Sequence, residues 1–452
     1  MIRVNRLMLV PLLLLLAPSA WTAEHGVPLR LTLPEAVSLA LTENPDFALT
    51  RNRQQSAAVD VEAARGRFLP SLEGGAGGSE TFRHQTAPGE PDSYQNVNLK
   101  LTAGLNLFNG FADQSGLEAS RQQLQAADAD LLRQQQTVAA AVAASFIAVL
   151  SDRELVQVAQ QNLQSQQDLE QQVDAFYQAG VRSVTDLYQQ QAATAQAQFG
   201  LLDARRNLQV DRLKLLQVLG RTLGTDIEIL PPDGRALENA LQHLDPGEAY
   251  RQALVTRPDL LAQQRRIAAA REQIRTARSG YLPSLDLQVN SGSSYLSRDR
   301  GNFGSQLDDN LDTSIGLTLS IPLFDRNQTR SSVAQARIGE ADAATNLLKL
   351  QQQVGLEVGQ ALADYQRAGQ QLTTTIRQLD YARQALAASE ARYKVGATTW
   401  IELSSARSAF VQAQGNEVRA RYDLLLQGLN IGYVRGDLEA LLMLLTDKEN
   451  PS

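Results

Sequence analysis

Two acids sit in matching company. Asp186 follows Ser183 by three residues, and Glu402 follows Thr399 by three. A hydroxyl three residues ahead of an acid is a capping-box pattern: the hydroxyl accepts from exposed N–H groups at a helix start, and the acid reaches back. An acid there also faces the positive end of the helix dipole. Other candidate chemistry is thin. His25, His84 and His243 are scattered, with no metal-ligand spacing. Gly74-Gly75-Ala76-Gly77-Gly78 has no Lys-Ser/Thr and no following helix, so it is no phosphate loop. Small residues there suit a strand that twists or lies close to its neighbour. Asp308, Asp309 and Asp312 read as a solvated loop rather than a cation site. Cys is absent, which excludes thiolate metal sites, Cys nucleophiles and a disulfide framework. No nucleophile–base pair is present. The expectation is a protein without catalytic residues, cofactor or metal.

The elements that position the two acids come from a duplicated chain. Phe68-Leu69-Pro70-Ser71-Leu72 recurs as Tyr281-Leu282-Pro283-Ser284-Leu285, 213 residues on. Glu35-Ala36 and Pro45-Asp46 recur at the same offset, as Glu248-Ala249 and Pro258-Asp259. Further along, Leu107-Phe108-Asn109 matches Leu323-Phe324-Asp325, and Tyr177 and Gly180 match Tyr393 and Gly396, now 216 residues apart. Several ordered matches at nearly constant offset mark an internal repeat. The three extra residues fall among strands and loops.

Each half opens on a capping pattern, Thr32-x-x-Glu35 and Asp245-x-x-Glu248. Pro45 and Pro258 then interrupt the helix, since proline removes a donor and clashes one turn back. After it the period becomes two. Odd positions are apolar from Val97 to Leu107 and from Ile315 to Leu323, with shorter partners at Leu72 to Phe82 and Leu285 to Asn290. Strict alternation specifies strands with one apolar and one polar face. Long Ala-, Gln- and Leu-rich stretches follow. The first, about Ala112 to Gln178, would make a helix of roughly 100 Å. Leu117, Leu124, Leu131 and Val138 stand seven apart, as a coiled-coil seam requires; Val333, Leu347 and Val354 hold that register, and Glu340 breaks it. Gly180 and Gly396 stop the long helices, and return helices run from about Val184 to Leu219 and from about Trp400 to Tyr433.

The fold class is therefore mainly α with a small β part: a duplicated unit of long coiled-coil helical hairpins plus two β-hairpins. The expected organisation is a signal peptide at 1–23, a first repeat at 24–220 (β-hairpin 70–108, helical hairpin 111–219) and a linker at 221–246. A second repeat follows at 247–436 (β-hairpin 283–324, helical hairpin 327–433), then a C-terminal tail at 437–452. The signal peptide rests on Arg3 and Arg6, the apolar run Leu12 to Leu16, and small residues to Ala20 and Ala23. A net charge of −7 argues against nucleic acid. A mean hydropathy of −0.26 argues against a polytopic helical membrane protein. A membrane role would use strands. Open sheet edges are forbidden in lipid, and four strands are too few to close a barrel, so several chains must share one.

The order of helix, β-hairpin and very long helical hairpin, repeated, resembles the TolC-like outer membrane efflux proteins. So do the Phe68–Leu72 and Pro322–Asp325 stretches flanking the strands and the tip glycines. The likeness covers essentially the whole mature chain and points to the branch without a lipidated Cys. It implies a homotrimer in the outer membrane, with a shared twelve-stranded barrel continued by an α-helical tunnel into the periplasm. Its role would be a passive exit duct of a tripartite efflux pump or type I secretion system. The implied partners are a periplasmic adaptor, an inner-membrane pump or ABC transporter, and outer-membrane lipid. The resemblance puts Asp186, Glu402 and Tyr393 at the periplasmic aperture, and makes Gly180, Val181, Gly396 and Ala397 adaptor-contacting tips. This chain departs from the fullest family gate at Ser405, where a second acid is expected, and at Thr398, where a basic residue is expected; Arg182 follows the first tip instead. The rival reading is a periplasmic coiled-coil adaptor or scaffold, which normally has one helical hairpin flanked by β-rich domains.

Overall fold

The computed structural model describes residues 29–83, 93–222, 227–232, 234–241 and 245–445. The expected signal peptide, the three histidines and residues 446–452 of the tail lie outside them.

The first repeat begins with β1 (Leu29–Leu31), α1 (Leu33–Glu43) and α2 (Pro45–Gly66). Glu35 accepts from the Thr32 backbone N–H and hydroxyl, both at 2.8 Å. The break before α2 falls at Asn44, whose side chain accepts from Asp46 N and Phe47 N, with Pro45 at the first helical position. Strands β2 (Ser71–Phe82) and β3 (Ser93–Asn109) follow, then α3 (Ala112–Gln178) and α4 (Val184–Val218). β4 (Ile227–Ile229) and α5 (Arg235–Leu241) lie in the stretch read as a linker. β4 pairs in parallel with β1, and Arg153 of α3 donates to Ile229 O at 3.1 Å, so tertiary contacts order these few residues.

The second repeat runs through α6 (Pro246–Thr256), α7 (Pro258–Arg278), β5 (Ser284–Leu296), α8 (Phe303–Asp309) and β6 (Asp312–Ser320). It ends with α9 (Gln328–Lys394), α10 (Trp400–Arg435) and α11 (Leu438–Met443). α3 and α9 are each 67 residues long, roughly 100 Å at 1.5 Å per residue. β6 stops at Ser320 although apolar alternation continues to Leu323, because Pro322 has no N–H for the ladder. α11 occupies part of the expected tail; its Leu438, Leu441 and Leu442 are buried in the core.

The four long strands form one antiparallel sheet in the order β2-β3-β5-β6, so the hairpins join through β3 and β5. Among the described residues, the outer edges of β2 and β6 have no strand partner. The main core lies where α1, α6, α11 and the middles of α3, α9 and α10 converge, around Leu33, Phe146, Leu150, Val354, Leu429 and Leu438. Nearer the strands the packing is alanine on alanine: Ala126 and Ala129 of α3 meet Ala262 of α7. The expected leucine seam is half-buried at Leu117, Leu124 and Leu131, and buried at Val138. Glu340 breaks the register because it accepts from Arg271 Nε of α7 at 2.9 Å.

Candidate functional site

The two helical hairpins end in matching tips. α3 closes at Gly180, with φ of 72°, where Gly180 N donates to Tyr177 O and Val181 N to Phe176 O, both at 2.9 Å. α9 closes at Gly396, with φ of 74°, where Gly396 N donates to Tyr393 O at 3.1 Å and Ala397 N to Arg392 O at 2.8 Å. A left-handed residue satisfies the last carbonyls and turns the chain, and glycine does this without Cβ strain. Gly180, Val181, Gly396 and Ala397 are all exposed.

Both acids stand in the first turn of the return helix. Ser183 Oγ accepts from Asp186 N at 3.2 Å, and Thr399 Oγ1 accepts from Glu402 N at 3.3 Å. The capping half of the sequence reading is thus present at both tips. The reaching-back half is not formed at either tip, and the Glu402 carboxylate accepts from the Thr398 hydroxyl instead. Asp186 is half-buried and Glu402 is exposed; no hydrogen bond joins them within the chain.

Tyr393 is 4% exposed, packed with Leu169, Val173, Leu187 and Leu403. Its repeat mate Tyr177 is open to solvent. The Tyr393 hydroxyl is buried without a hydrogen-bond partner. Burial pushes its pKa up; the Arg182 guanidinium pulls it down and the Asp186 carboxylate raises it. Arg182 stacks 4.5 Å from the Tyr393 ring centroid, a cation–π contact, and donates to Tyr393 O at 3.4 Å. The structure therefore gathers Arg182, Asp186 and Tyr393 across the two hairpins, while Glu402 pairs locally with Thr398.

Three further side chains tie the hairpins together and were not singled out by motif. Gln190 of α4, 1% exposed, donates to Gln166 O at 3.1 Å and Gln166 Oε1 at 2.8 Å. Trp400 Nε1 donates to Gln190 Oε1 at 3.0 Å. Arg407 of α10 donates to Ser165 O at 2.8 Å and to Glu390 Oε1 at 2.5 Å. Their signal lies in the period. Gln190 falls in line with buried Leu187, Ala197 and Leu201 of α4, and Arg407 lies one turn after buried Leu403. A polar residue on the inward face must find a partner.

Higher on the helices, Asp152 of α3 faces Asp211 of α4 and Arg419 of α10. It borders a cavity of about 570 Å³ that is also lined by Asn162, Gln166, Asp203, Asn207 and Gln412. Asp152 Oδ2 is buried with no partner. Burial first, then Asp211, push its pKa up to about 6. A hydrogen bond between the Asp152 and Asp211 carboxyls, which needs a proton on one of them, adds to that rise. Asp211 is itself held by Lys214 Nζ at 2.6 Å.

Among the described residues no helix is long and apolar enough to cross a membrane. The sheet carries the apolar surface instead. On β6, Ile315, Leu317 and Leu319 are 75, 62 and 60% exposed on one face, beside Thr318 and Ser320 on the other.

Comparison with known proteins agrees with this geometry. The family model for "Outer membrane efflux protein" matches residues 36–221 and 249–431, one span in each repeat. "Outer membrane protein TolC" of Escherichia coli K12 is 26% identical over 419 residues, covering 90% of this chain and 82% of the relative. "Protein CyaE" of Bordetella pertussis is 26% identical over 410 residues, covering 90% and 84%. The CmeC outer membrane channel of Campylobacter jejuni superposes with a TM-score of 0.77 at 18% identity, over 90% of this chain and 85% of that one. With both repeats matched by the family, the chain belongs to the outer membrane efflux proteins and is an outer-membrane channel protein, not a periplasmic adaptor.

Proposed function

We propose that three copies of this chain form a passive duct without catalytic chemistry, carrying cargo from the periplasm across the outer membrane. The observation that carries this reading is the four-stranded sheet with two unpaired edges and one exposed apolar face. Unpaired N–H and C=O groups on β2 and β6 cost several kcal/mol each in lipid. Pairing β6 of one copy with β2 of the next removes both edges and closes the barrel at twelve strands, within the range of outer-membrane barrels. The same assembly covers exposed apolar residues on the long helices, such as Tyr188, Phe199 and Leu202 of α4 and Leu348 and Leu356 of α9.

In this reading, residues 24–220 and 247–436 are the two structural repeats of each wall segment. Gly180, Val181, Gly396 and Ala397 present the surface met by a periplasmic adaptor, which links the duct to an inner-membrane pump or ABC transporter. Asp186, Glu402 and Tyr393 form the aperture. Three copies bring six carboxylates to a narrow axis, where they attract cations and raise one another's pKa. Arg182, lying on Tyr393, serves as the basic partner that Thr398 does not supply.

The duct and its aperture are tested together in planar bilayers. Asp186→Ala/Glu402→Ala raises single-channel conductance and weakens cation preference. Wild-type conductance and selectivity in the double variant would leave the two acids as helix caps only. Failure of the wild-type protein to conduct at all would overturn the duct.

A further inference from the structure

The polar face of the sheet carries four charged groups among the described strand residues: Glu73, Lys100, Asp286 and Asp312. Residues paired across strands share a face, and the register places the four in rows. Lys100 lies between Gly75 and Gly292, and Gly292 pairs onward with Asp312. Glu73 pairs with Thr102, which pairs with Asn290 and then Ser314. Asp286 pairs with Asn106 and Thr318. Apart from Tyr94 and Leu296 at the ends away from the helices, the rest of this face is Ser, Thr, Asn, Gln and Gly.

Several of these polar chains are held against the wall. Asn106 Nδ2 donates to Asp286 Oδ1 at 2.7 Å, and Thr102 Oγ1 donates to Asn290 Oδ1 at 3.2 Å. Lys100 is different. It is exposed, and both cross-strand neighbours in its row are glycines, which give it nothing to lean on. Its nearest acid on this face is Glu73, diagonal to it on β2 at roughly 7–8 Å, and the next is Asp312, two strands away in its own row. No ion pair holds Lys100 to Glu73, and an exposed lysine extends its charged end into the water it faces.

We propose that Lys100 tunes the ion selectivity of the barrel lumen, moderating the cation preference of a wall whose other strand charges are carboxylates. The proposal rests on the trimeric duct described above. Threefold symmetry then places three Lys100 ammonium groups at one height, converging on the axis. The fixed charge of the polar face is −2 per chain from Glu73, Asp286, Asp312 and Lys100; without Lys100 it would be −3. The lysine ring breaks an otherwise cation-favouring path where its three charges are fixed together, as rings of basic side chains do in anion pores.

The test uses the absence of native cysteine. Lys100→Cys provides one thiol per chain, placed in the Asp186→Ala/Glu402→Ala background so that the aperture does not mask the barrel. Membrane-impermeant methanethiosulfonates are added from the extracellular side of a planar bilayer. The thiol reacts, whereas Leu101→Cys, on the apolar face, does not. Relative to the lysine protein, unmodified Lys100→Cys raises the cation-to-anion permeability ratio roughly 1.5-fold, in proportion to fixed lumen charge. A sulfonate adduct raises it roughly 2-fold, and an ethylammonium adduct restores the starting ratio. Equal ratios for the two adducts overturn the proposal while leaving the duct intact. So does reaction at Leu101→Cys in place of Lys100→Cys. A protein that conducts no current in any form overturns the duct reading and this proposal with it.

Discussion

Asp152 shows what a single buried carboxyl does in a wall of helices. Packed against Asp211, it holds its proton up to about pH 6. The folded state therefore binds this proton more tightly than the unfolded chain, where an aspartate titrates at 3.8. The contribution of this carboxyl to stability is fully present below the unfolded value, is lost as pH rises toward 6, and stays lost above it. Asp152→Asn keeps the shape and removes the charge. It should raise the melting temperature at pH 7.5 and leave it unchanged at pH 3.5. The gain is about 1 kcal/mol after allowing for the partial openness of the site. A lower melting temperature at pH 7.5 would show that the ionised pair with Arg419 stabilises the wall instead. Neither Asp152 nor Asp211 stands out in the sequence, because a shared proton depends on two helices meeting. Asp186 and Glu402, the acids proposed for the aperture, do stand out, since Ser183-x-x-Asp186 and Thr399-x-x-Glu402 are local sequence patterns. What the pattern could not show is that Glu402 accepts from Thr398 and that Arg182 stacks on Tyr393 beside Asp186.

At the scale of elements, the strands test the membrane assignment. Leu317 sits mid-strand on the apolar face of β6, and Thr318 on the polar face. Leu317→Arg should cost about 2–4 kcal/mol where it meets the bilayer midplane, and lumen-facing Thr318→Arg far less. Urea unfolding from lipid vesicles measures both. Equal losses would mean that the two faces see the same solvent. The strands are legible because the period of two is written in consecutive residues, and the long helices because their period persists over many turns. The tips are legible because the duplication carries Gly180 onto Gly396, and both glycines do turn the chain in the left-handed region. Short elements are not legible. β4 has three residues and α11 six, too few for a period, and both exist because of what they pack against. The end of β6 shows the opposite error: the apolar pattern runs past Pro322, where the ladder cannot follow.

At the scale of the whole molecule, the single chain is visibly incomplete. Its sheet is open at two edges, its strands expose leucines on one face, and its longest helices carry apolar residues with nothing over them. Each deficit has the same remedy, a second and third copy arranged head to tail until the ring closes. That closure would turn a polar sheet face into a lumen and the two helix tips into the proposed aperture. The most direct test is native mass spectrometry of the mature protein released from outer-membrane detergent micelles. The expected result is a complex of three chains that withstands cold SDS and collapses to single chains on boiling. A stable single chain under the same gentle conditions would contradict it.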